Sequence, residues 1–233
     1  MQTALQGSKH QEINMNKNQG LFITFEGIDG SGKTTQCQRL IAALATKQIP
    51  YLATREPGGS PLGDRLRDIL INSNDLALEP KAEVFLFLAN RLQNLTELVI
   101  PALREGKIVI SDRHRDSTIA FQGGGRQLGL DWLDQLHHDH LPIAPDCTLL
   151  FDLPVAASLA RSTKRDKDPN QAKHRDRFEE ERVDFHQRTR DAYLELARRY
   201  PNRFVIIEAS PSLQQVTEAM FASLATRYPD QFA

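Results

Sequence analysis

Apolar residues occur along this chain in two alternating arrangements: short continuous runs, and longer stretches in which they recur every three or four positions. The short runs are rich in Ile, Val, Leu and Phe, as expected of strands covered on both faces of a parallel sheet. They occupy residues 21–26, 51–54, 107–112, 147–153 and 203–209. The helical pattern occupies residues 33–47, 61–72, 80–104, 130–140, 155–161, 176–200 and 212–226. This alternation predicts an α/β fold in which five parallel strands are flanked by helices.

Two segments lack the apolar residues that a packed element needs. Residues 1–20 contain neither the apolar core of a signal peptide nor an Arg-rich amphipathic pattern, so we predict a disordered tail. Residues 162–175 have no apolar residue beyond one Ala. We therefore expect a solvated, mobile, basic lid at about residues 161–175, between two helices. Residues 21–233 are predicted to form a single domain that includes this lid.

The composition argues against several classes of partner. A formal net charge of -1 gives no basic field that would attract nucleic acid, so neither DNA nor RNA is predicted as a partner. No run of about eighteen apolar residues occurs, so no membrane-spanning helix is predicted. Cys37 and Cys147 lie far apart within apolar patterns, and we interpret them as buried thiols of a cytoplasmic protein.

A glycine-rich segment follows the first predicted strand and precedes the first predicted helix. Its sequence, GIDGSGKTT, matches the P-loop pattern G-x-x-x-x-G-K-[ST]. Backbone N–H groups of such a loop, together with the positive end of the helix dipole, favour the β- and γ-phosphates of ATP. Lys33 would add a point charge, and the Thr34 hydroxyl would bind Mg²⁺. The predicted ATP site comprises Gly27, Ile28, Asp29, Gly30, Ser31, Gly32, Lys33, Thr34 and Thr35.

The P-loop alone leaves the class of reaction open. A GTPase-type binding module would read guanine, and the sequence TKRD at residues 163–166 has the letters of a guanine-reading motif. That segment, however, lies in the charged lid and not at the end of a strand, so we assign it no guanine role. No D-x-x-G element follows a predicted strand either. The P-loop thus predicts nucleotide binding, and a kinase for a pyrimidine or purine nucleoside monophosphate and a GTPase-type binding module remain alternatives at this point.

Four further segments resemble the thymidylate kinase family, and the resemblance extends from about residue 21 to the C-terminal helix. They are TREPGG at residues 54–59, the FxxxR of Phe87 and Arg91, DRHRDSTIAFQGGGR at residues 112–126, and DRFE at residues 176–179. With the P-loop, this resemblance implies transfer of the γ-phosphoryl group of ATP to dTMP, giving ADP and dTDP. It also implies a homodimer, in agreement with the apolar residues Phe85, Leu86 and Leu88 on more than one face of a predicted helix.

The resemblance further implies an acceptor site for dTMP. Phe87 and Arg91 lie one helical turn apart, so an aromatic plane and a fork of donors can meet one flat heterocycle. In the family the Phe stacks on thymine and the Arg bonds its O4; the alternative is a core Phe beside a surface Arg. Many bacterial members have Tyr where this chain has Phe121, which leaves the exclusion of ribonucleotides open. The remaining positions implied for dTMP are Asp29, Arg55, Arg113, Thr118, Phe121 and Gln122.

Phosphoryl transfer also requires groups that stabilise charge, and four cationic residues are candidates: Lys33, Arg113, Arg161 and Arg165. Asp112 and Arg113 end a predicted strand, at the rim where doubly wound sheets bind ligands. We predict that Asp112 holds Mg²⁺ through water and that Arg113 clamps the acceptor phosphate, although a strand-end ion pair is the alternative. Residue 30 is Gly and not Arg, so the P-loop lacks the arginine that some family members have there. The lid would then supply the cation, through Arg161 and Arg165 by resemblance.

A histidine-rich stretch at residues 137–140 has the residue types of a metal site. It falls on a polar face of a predicted helix, where no inward-facing open site is indicated. We interpret it as a solvated patch.

Overall fold

The computed structural model describes residues 20–73, 76–166, 178 and 181–232, without the side chains of residues 162 and 164–166. Residues 1–19 of the predicted tail and 167–175 of the predicted lid lie outside the described residues. Gly20, the last residue of the predicted tail, donates its backbone N–H to the Leu103 carbonyl at 2.9 Å. Gly20 therefore belongs to the folded part, in contrast to the prediction.

Five strands of the described chain form one parallel sheet, as the sequence predicted. They are β1 (Phe22–Glu26), β2 (Tyr51–Arg55), β3 (Ile108–Asp112), β4 (Cys147–Asp152) and β5 (Phe204–Glu208), in the order β2-β3-β1-β4-β5. β1 lies at the centre, between β3 and β4. Because parallel strands point the same way, the carboxyl ends of these three strands meet at one edge, where open α/β sheets bind ligands.

The two edge strands are less buried than their apolar sequences indicated. Every residue of β1 is buried, whereas β2 has no fully buried residue and Ile206 of β5 is 53% exposed. Each edge strand has a neighbouring strand on one side only, so its flank stays open. The prediction that all five strands are covered on both faces is therefore wrong for β2 and β5.

Helices pack on the sheet at the predicted places, with Pro61 and Pro80 at first-turn positions. They are α1 (Lys33–Thr46), α2 (Pro61–Arg67), α3 (Pro80–Asn94), α4 (Ile100–Arg104), α5 (Arg115–Thr118), α6 (Leu130–His140), α7 (Val155–Asp166), α8 (Val183–Arg199), α9 (Leu213–Arg227) and α10 (Pro229–Phe232). Wider π-type turns extend α2 over Asp68–Asn72, join α3 to α4 over Leu95–Val99 and extend α5 over Ile119–Gly125. None of the helices in the described residues combines the length and apolarity needed to cross a membrane.

Helix boundaries around the predicted lid differ from the prediction. α7 continues to Asp166 instead of ending near Arg161, because charged and polar residues are compatible with a solvated helix even where apolar residues stop. α8 begins at Val183 and not at residue 176. α5 and its extension were not predicted, since their sequence combines β-branched residues with three consecutive glycines, which weaken helices in isolation.

The extension of α5 packs closely on α8, and glycines make that approach possible. A Cβ atom on Gly124 would lie 2.5 Å from the Ala192 Cβ, and one on Gly125 would lie 2.5 Å from the Phe185 ring. Both distances are too short for any real side chain. The consecutive glycines therefore let α8 lie against the wall of the site described below.

Gly125→Ala should lower the free energy of unfolding by about 1–3 kcal/mol, because the added methyl group overpacks the contact with α8. Gly123→Ala is the matched control: its Cβ would lie 3.1 Å from a Leu133 methyl group and 3.2 Å from a Leu130 methyl group, and these side-chain ends can shift. Urea unfolding followed by circular dichroism measures both variants. Equal losses of stability would contradict the tight contact at Gly125.

Candidate active site

The P-loop connects the buried end of β1 to the first turn of α1. Gly27, Gly30 and Gly32 have φ values of 141°, 77° and 88°, which residues other than glycine rarely adopt. Gly32 caps α1 without a side-chain hydrogen bond, so the first N–H groups of α1 have no side-chain acceptor. The Ser31 hydroxyl is buried and has no partner within the described residues. A phosphate group would satisfy both kinds of donor.

Lys33 and Asp29 form an ion pair inside this loop. Lys33 is only 7% exposed, and its Nζ lies 3.4 Å from Asp29 Oδ1. The Lys33 side chain is therefore buried, and its ammonium group is held by Asp29. Burial alone would raise the pKa of Asp29, but the charges of Arg113 and then Lys33 outweigh it and lower the pKa to about 2. Asp29 is thus an anion that holds two cations.

Arg113 follows β3 in a left-handed conformation, with φ at 72°, which is uncommon for a residue with a side chain. Its guanidinium pairs with Asp29 and donates to the Gly27 carbonyl at 3.1 Å. It also lies 4.9 Å from the centre of the Phe121 ring. Burial opposes the charge of Arg113, but Asp29 outweighs that effect and the pKa is raised. The structure thus places a permanently charged guanidinium between β1 and β3.

Two oxygen groups at the rim of the loop suit Mg²⁺. Thr34 Oγ1 donates to Asp112 Oδ2 at 2.6 Å, at a solvent-exposed position. Mg²⁺ prefers such hard oxygen ligands, and it usually takes one or two from protein and the rest from phosphates and water. Among the described residues, no group of three or more His, Cys, Asp or Glu side chains could hold a metal alone. The residues therefore fit a Mg²⁺ ion that arrives with a nucleotide.

A cleft of about 520 Å³, including its open mouth, lies beside Asp29 and Arg113. All residues predicted for the acceptor line it except Arg55. Glu56, Arg67, Ser117 and Phe178 also line it, although the sequence analysis did not select them. The predicted residues that line the cleft are Asp29, Phe87, Arg91, Arg113, Thr118, Phe121 and Gln122.

Arg55 lies away from the cleft, in contrast to the expectation that it faces the acceptor. Its side chain is 60% exposed and lies 3.6 Å from Asp64, because it projects from the open end of the edge strand β2. Arg67 occupies the cleft wall instead and donates to the Pro57 carbonyl at 2.8 Å. No sequence signal distinguished Arg67 from Arg65, two positions earlier in the same polar helix.

Arg91 is almost fully buried, and its donors are nearly all used. Nε donates to Glu56 Oε2 at 2.6 Å, Nη1 donates to Thr118 Oγ1 at 3.1 Å and to His137 Nε2 at 2.8 Å, and Nη2 donates to the His114 carbonyl at 3.0 Å. A guanidinium has five N–H donors, so these bonds leave one N–H on Nη2. Because Arg91 lines the cleft, this single donor is available to a ligand.

His137 fixes one side of that guanidinium. Its Nδ1 lies 2.6 Å from the Leu133 carbonyl and must carry a proton to donate there, which leaves Nε2 as the acceptor for Arg91. Burial and then Arg91 lower the pKa of His137 to about 3, so the ring is neutral. The interpretation of residues 137–140 as a solvated patch is wrong for His137. Its spacing of four from the buried Leu133 is the signal that places it on the inner face of α6.

Three aromatic rings form the apolar wall of the cleft. Phe178 lies 6.2 Å from Phe87 and meets Phe121 edge-on at 5.8 Å, measured between ring centres. Phe87 and Phe121 come from α3 and from the extension of α5, so the wall brings together separate parts of the chain. A flat heterocycle can pack against such a surface.

Arg161, one of the two predicted lid arginines, is not part of the cleft lining. Arg161 Nη2 donates to the Ala209 carbonyl at 2.9 Å. Arg165 lies in the last turn of α7, and its side chain is outside the described residues.

A phosphate-binding loop at the central strand, with a second polar and aromatic cleft beside it, defines a P-loop NTPase that can bind a nucleotide and a separate acceptor. The sequence model of one protein family, described as Thymidylate kinase, matches residues 25–220. The chain belongs to the thymidylate kinase family.

Individual relatives agree with this assignment. The thymidylate kinase of Solidesulfovibrio magneticus is 45% identical over 202 residues, which cover 86% of this chain and 97% of the relative. That of Trichlorobacter lovleyi is 44% identical over 210 residues, covering 89% and 98%. A crystal structure of thymidylate kinase from Ehrlichia chaffeensis superimposes with a TM-score of 0.69 at 31% identity, covering 88% of this chain and 98% of that one.

Arg91→Ala should lower the free energy of unfolding by about 3–5 kcal/mol, because it leaves the buried carboxylate of Glu56 unpaired. Dissociation constants from calorimetry should show weaker dTMP binding and nearly unchanged ATP binding. Combining Arg91→Ala with Glu56→Gln should recover part of the stability, since the unpaired charge is gone, but not the affinity for dTMP. Equal weakening of both ligands in the double variant would show that Arg91 has only a structural role.

Proposed function

We propose that this chain transfers the γ-phosphoryl group of ATP to dTMP, giving ADP and dTDP. One observation carries the proposal beyond family membership: Asp29 belongs to the P-loop and also lines the cleft, where it pairs with Arg113. A donor phosphate in the loop and an acceptor phosphate at Arg113 would then lie next to each other. That proximity is what an in-line transfer without a covalent intermediate requires.

On the donor side, the N–H groups of residues 27–35 and Lys33 bind the phosphates of ATP. Thr34 and Asp112 would hold Mg²⁺, which neutralises charge on the phosphates during transfer. Arg113 would clamp the acceptor phosphate through Nε, because Nη1 donates to the Gly27 carbonyl and to Ser117, and Nη2 pairs with Asp29. Asp29 itself can accept a hydrogen bond from the acceptor sugar, as the resemblance implies.

On the acceptor side, two fixed polar groups read the base. Arg91 has one N–H donor left, and Gln122 uses its amide nitrogen to donate to Glu83 at 2.8 Å, which leaves its oxygen as an acceptor. Thymine offers the complementary pair, an accepting O4 beside a donating N3–H. Cytosine presents the opposite pattern at both atoms, so each polar group would lack a partner. Phe87 stacks on the ring, and Thr118 lies at its edge.

The protein is further proposed to be a cytoplasmic homodimer. Phe85 of α3 is 53% exposed, which is consistent with a partner surface on this helix. Leu88, which the sequence suggested would also be exposed, is buried and faces the core. The dimer contact would therefore lie on one face of α3 and not on several. Both cysteines are buried free thiols, in keeping with a reducing compartment.

A panel of acceptors tests the reaction. ADP release would be measured with ATP and Mg²⁺ and with dTMP, dUMP, dCMP, UMP, AMP or no acceptor. We expect kcat/KM to be highest for dTMP, and Lys33→Ala to lose more than about nine-tenths of kcat, since it removes a charge at the transferring group. Equal ADP release without an acceptor would instead indicate a hydrolase, and preference for GTP would indicate a GTPase-type module.

Replacing both Arg161 and Arg165 with Ala should lower kcat at least about tenfold with little change in either KM, because the lid cation acts chiefly in the transition state. Steady-state kinetics measures this effect. The control is Arg104→Ala, an exposed arginine of α4 outside the site. If the double variant turns over at the wild-type rate, the cation comes from Lys164, from the arginines after the lid or from Arg113.

A further inference from the structure

Glu26, the last residue of β1, is completely buried and accepts four hydrogen bonds. Oε1 accepts from the backbone N–H of His114 at 2.8 Å and from that of Ser117 at 3.3 Å. Oε2 accepts from the Ser117 hydroxyl at 2.6 Å and from the Tyr193 hydroxyl at 2.8 Å. Each carboxylate oxygen thus has two donors, and the groups come from the turn after β3, from α5 and from α8.

The two hydroxyl groups that Glu26 binds also contact Arg113. Arg113 Nη1 donates to Ser117 Oγ at 3.0 Å and to Tyr193 OH at 3.3 Å. A hydroxyl has one hydrogen, so a hydroxyl that donates to Glu26 can offer only lone pairs to the guanidinium. The two hydroxyls also lie 2.9 Å from each other. If one hydroxyl donated its hydrogen to the other, Glu26 would lose one of its donors. The carboxylate therefore fixes the direction of both hydroxyl hydrogens.

We propose that Glu26 is a positioning residue for phosphoryl transfer: its carboxylate orients the Ser117 and Tyr193 hydroxyls so that they hold Arg113 against the acceptor phosphate. This inference rests on the proposed function, because that function gives Arg113 its role. Glu26 does not line the cleft and does not touch substrate.

The backbone of the same turn supports this role. Arg113 has a positive φ, a conformation that costs energy for a residue with a side chain and needs support from its surroundings. The bond from His114 N–H to Glu26 anchors the very next residue. Glu26 thus restrains both the backbone and the guanidinium of Arg113. Asp29 restrains Nη2 and the Gly27 carbonyl accepts from Nη1 at 3.1 Å, so the two hydroxyls that Glu26 orients act on the second hydrogen of Nη1.

The charge of Glu26 is sensitive to pH near neutrality. Burial, and then the neighbouring carboxylate of Asp116, raise its pKa to about 7 against the opposing effect of Arg113. A protonated Glu26 would itself donate, and one hydroxyl would then have to turn its hydrogen towards Arg113. Activity that depends on the carboxylate is present above pH 7 and is lost as the pH falls through 7. The ionisable residues around Glu26 are Arg113, Asp116, Tyr193 and Arg203.

Glu26→Gln keeps the size of the side chain and replaces an acceptor with a donor. At pH 8 we expect kcat to fall about tenfold or more, as for a displaced catalytic group, while the KM for ATP changes less than about twofold. The ratio of wild-type to variant kcat should shrink towards pH 6, where the wild type becomes protonated too. Asp146→Asn is the matched control. It alters a carboxylate that accepts from Phe22 N–H at 2.8 Å, at the opposite end of β1. We expect this variant to be less stable than the wild type but to show the same dependence of kcat on pH.

A second variant tests the inference without altering Glu26. Ser117→Ala combined with Tyr193→Phe removes both bridging hydroxyls, and we expect a loss of kcat similar to that of Glu26→Gln. Wild-type turnover in this double variant, or in a folded Glu26→Gln at pH 8, would overturn the inference. If Glu26→Gln does not fold, the double variant decides.

Calorimetric titration with dTMP in the absence of ATP separates this inference from the proposed function. A wild-type protein that does not bind dTMP would overturn the proposed function itself. We expect the wild type to bind dTMP and Glu26→Gln to bind it several-fold more weakly at pH 8. Equal binding by the two proteins, combined with an equal kcat, would overturn only the role of Glu26.

Discussion

The site depends on one partly buried carboxylate that holds two cations. Asp29 pairs with Lys33 from the P-loop and with Arg113 from the turn after β3, so it links the P-loop to the cleft. Lys33 and Arg113 carry like charges, which repel each other strongly where little water screens them. The carboxylate of Asp29 between them offsets this repulsion. The central sheet makes the arrangement possible, because β1 and β3 are adjacent and parallel and their ends meet at one edge. Much of the electrostatic organisation for phosphoryl transfer is therefore in place before any substrate binds.

Buried polar groups in this protein satisfy each other in ways that fix orientation. Arg91 is surrounded by acceptors from Glu56, Thr118 and His137, and only one of its N–H groups is left. Such a network does not imply high stability, since apolar residues of the same size often pack as well. The network instead fixes the direction of the remaining N–H donor of Arg91. A donor with a fixed direction is suited to the recognition of a single base. Burial raises the pKa of Glu56, and the charge of Arg91 and the hydrogen bond from Asn94 offset only part of that shift.

Local patterns predicted the fold and the position of the glycine-rich loop, and non-local contacts account for most of what they missed. The five strands and the P-loop follow from apolar runs and a contiguous motif, each readable within about ten residues. The resemblance placed Phe87 and Arg91 in the site. It did not identify Glu56 and His137, whose hydrogen bonds orient Arg91. His137 was missed because its partner lies 46 positions away, and its one local sign of burial is the spacing of four from Leu133. Arg55 was misplaced for a similar reason: the direction of its side chain depends on Asp64 and on the open edge of the sheet.

The charges of the cleft lining explain how one surface can suit both ends of a nucleoside monophosphate. Its charged residues are three arginines and two carboxylates, so it carries an excess of one positive charge. Arg91 and Glu56 neutralise each other, and the neutral ring of His137 adds no charge, so the base meets polar groups without net charge. Arg113 shares Asp29 with Lys33, which does not line the cleft, so two cations meet one carboxylate beside the P-loop; Arg67 is the third arginine of the lining. An acceptor with a neutral base and an anionic phosphate would therefore be favoured with its phosphate towards Arg113 and the P-loop, the orientation that the proposed transfer requires.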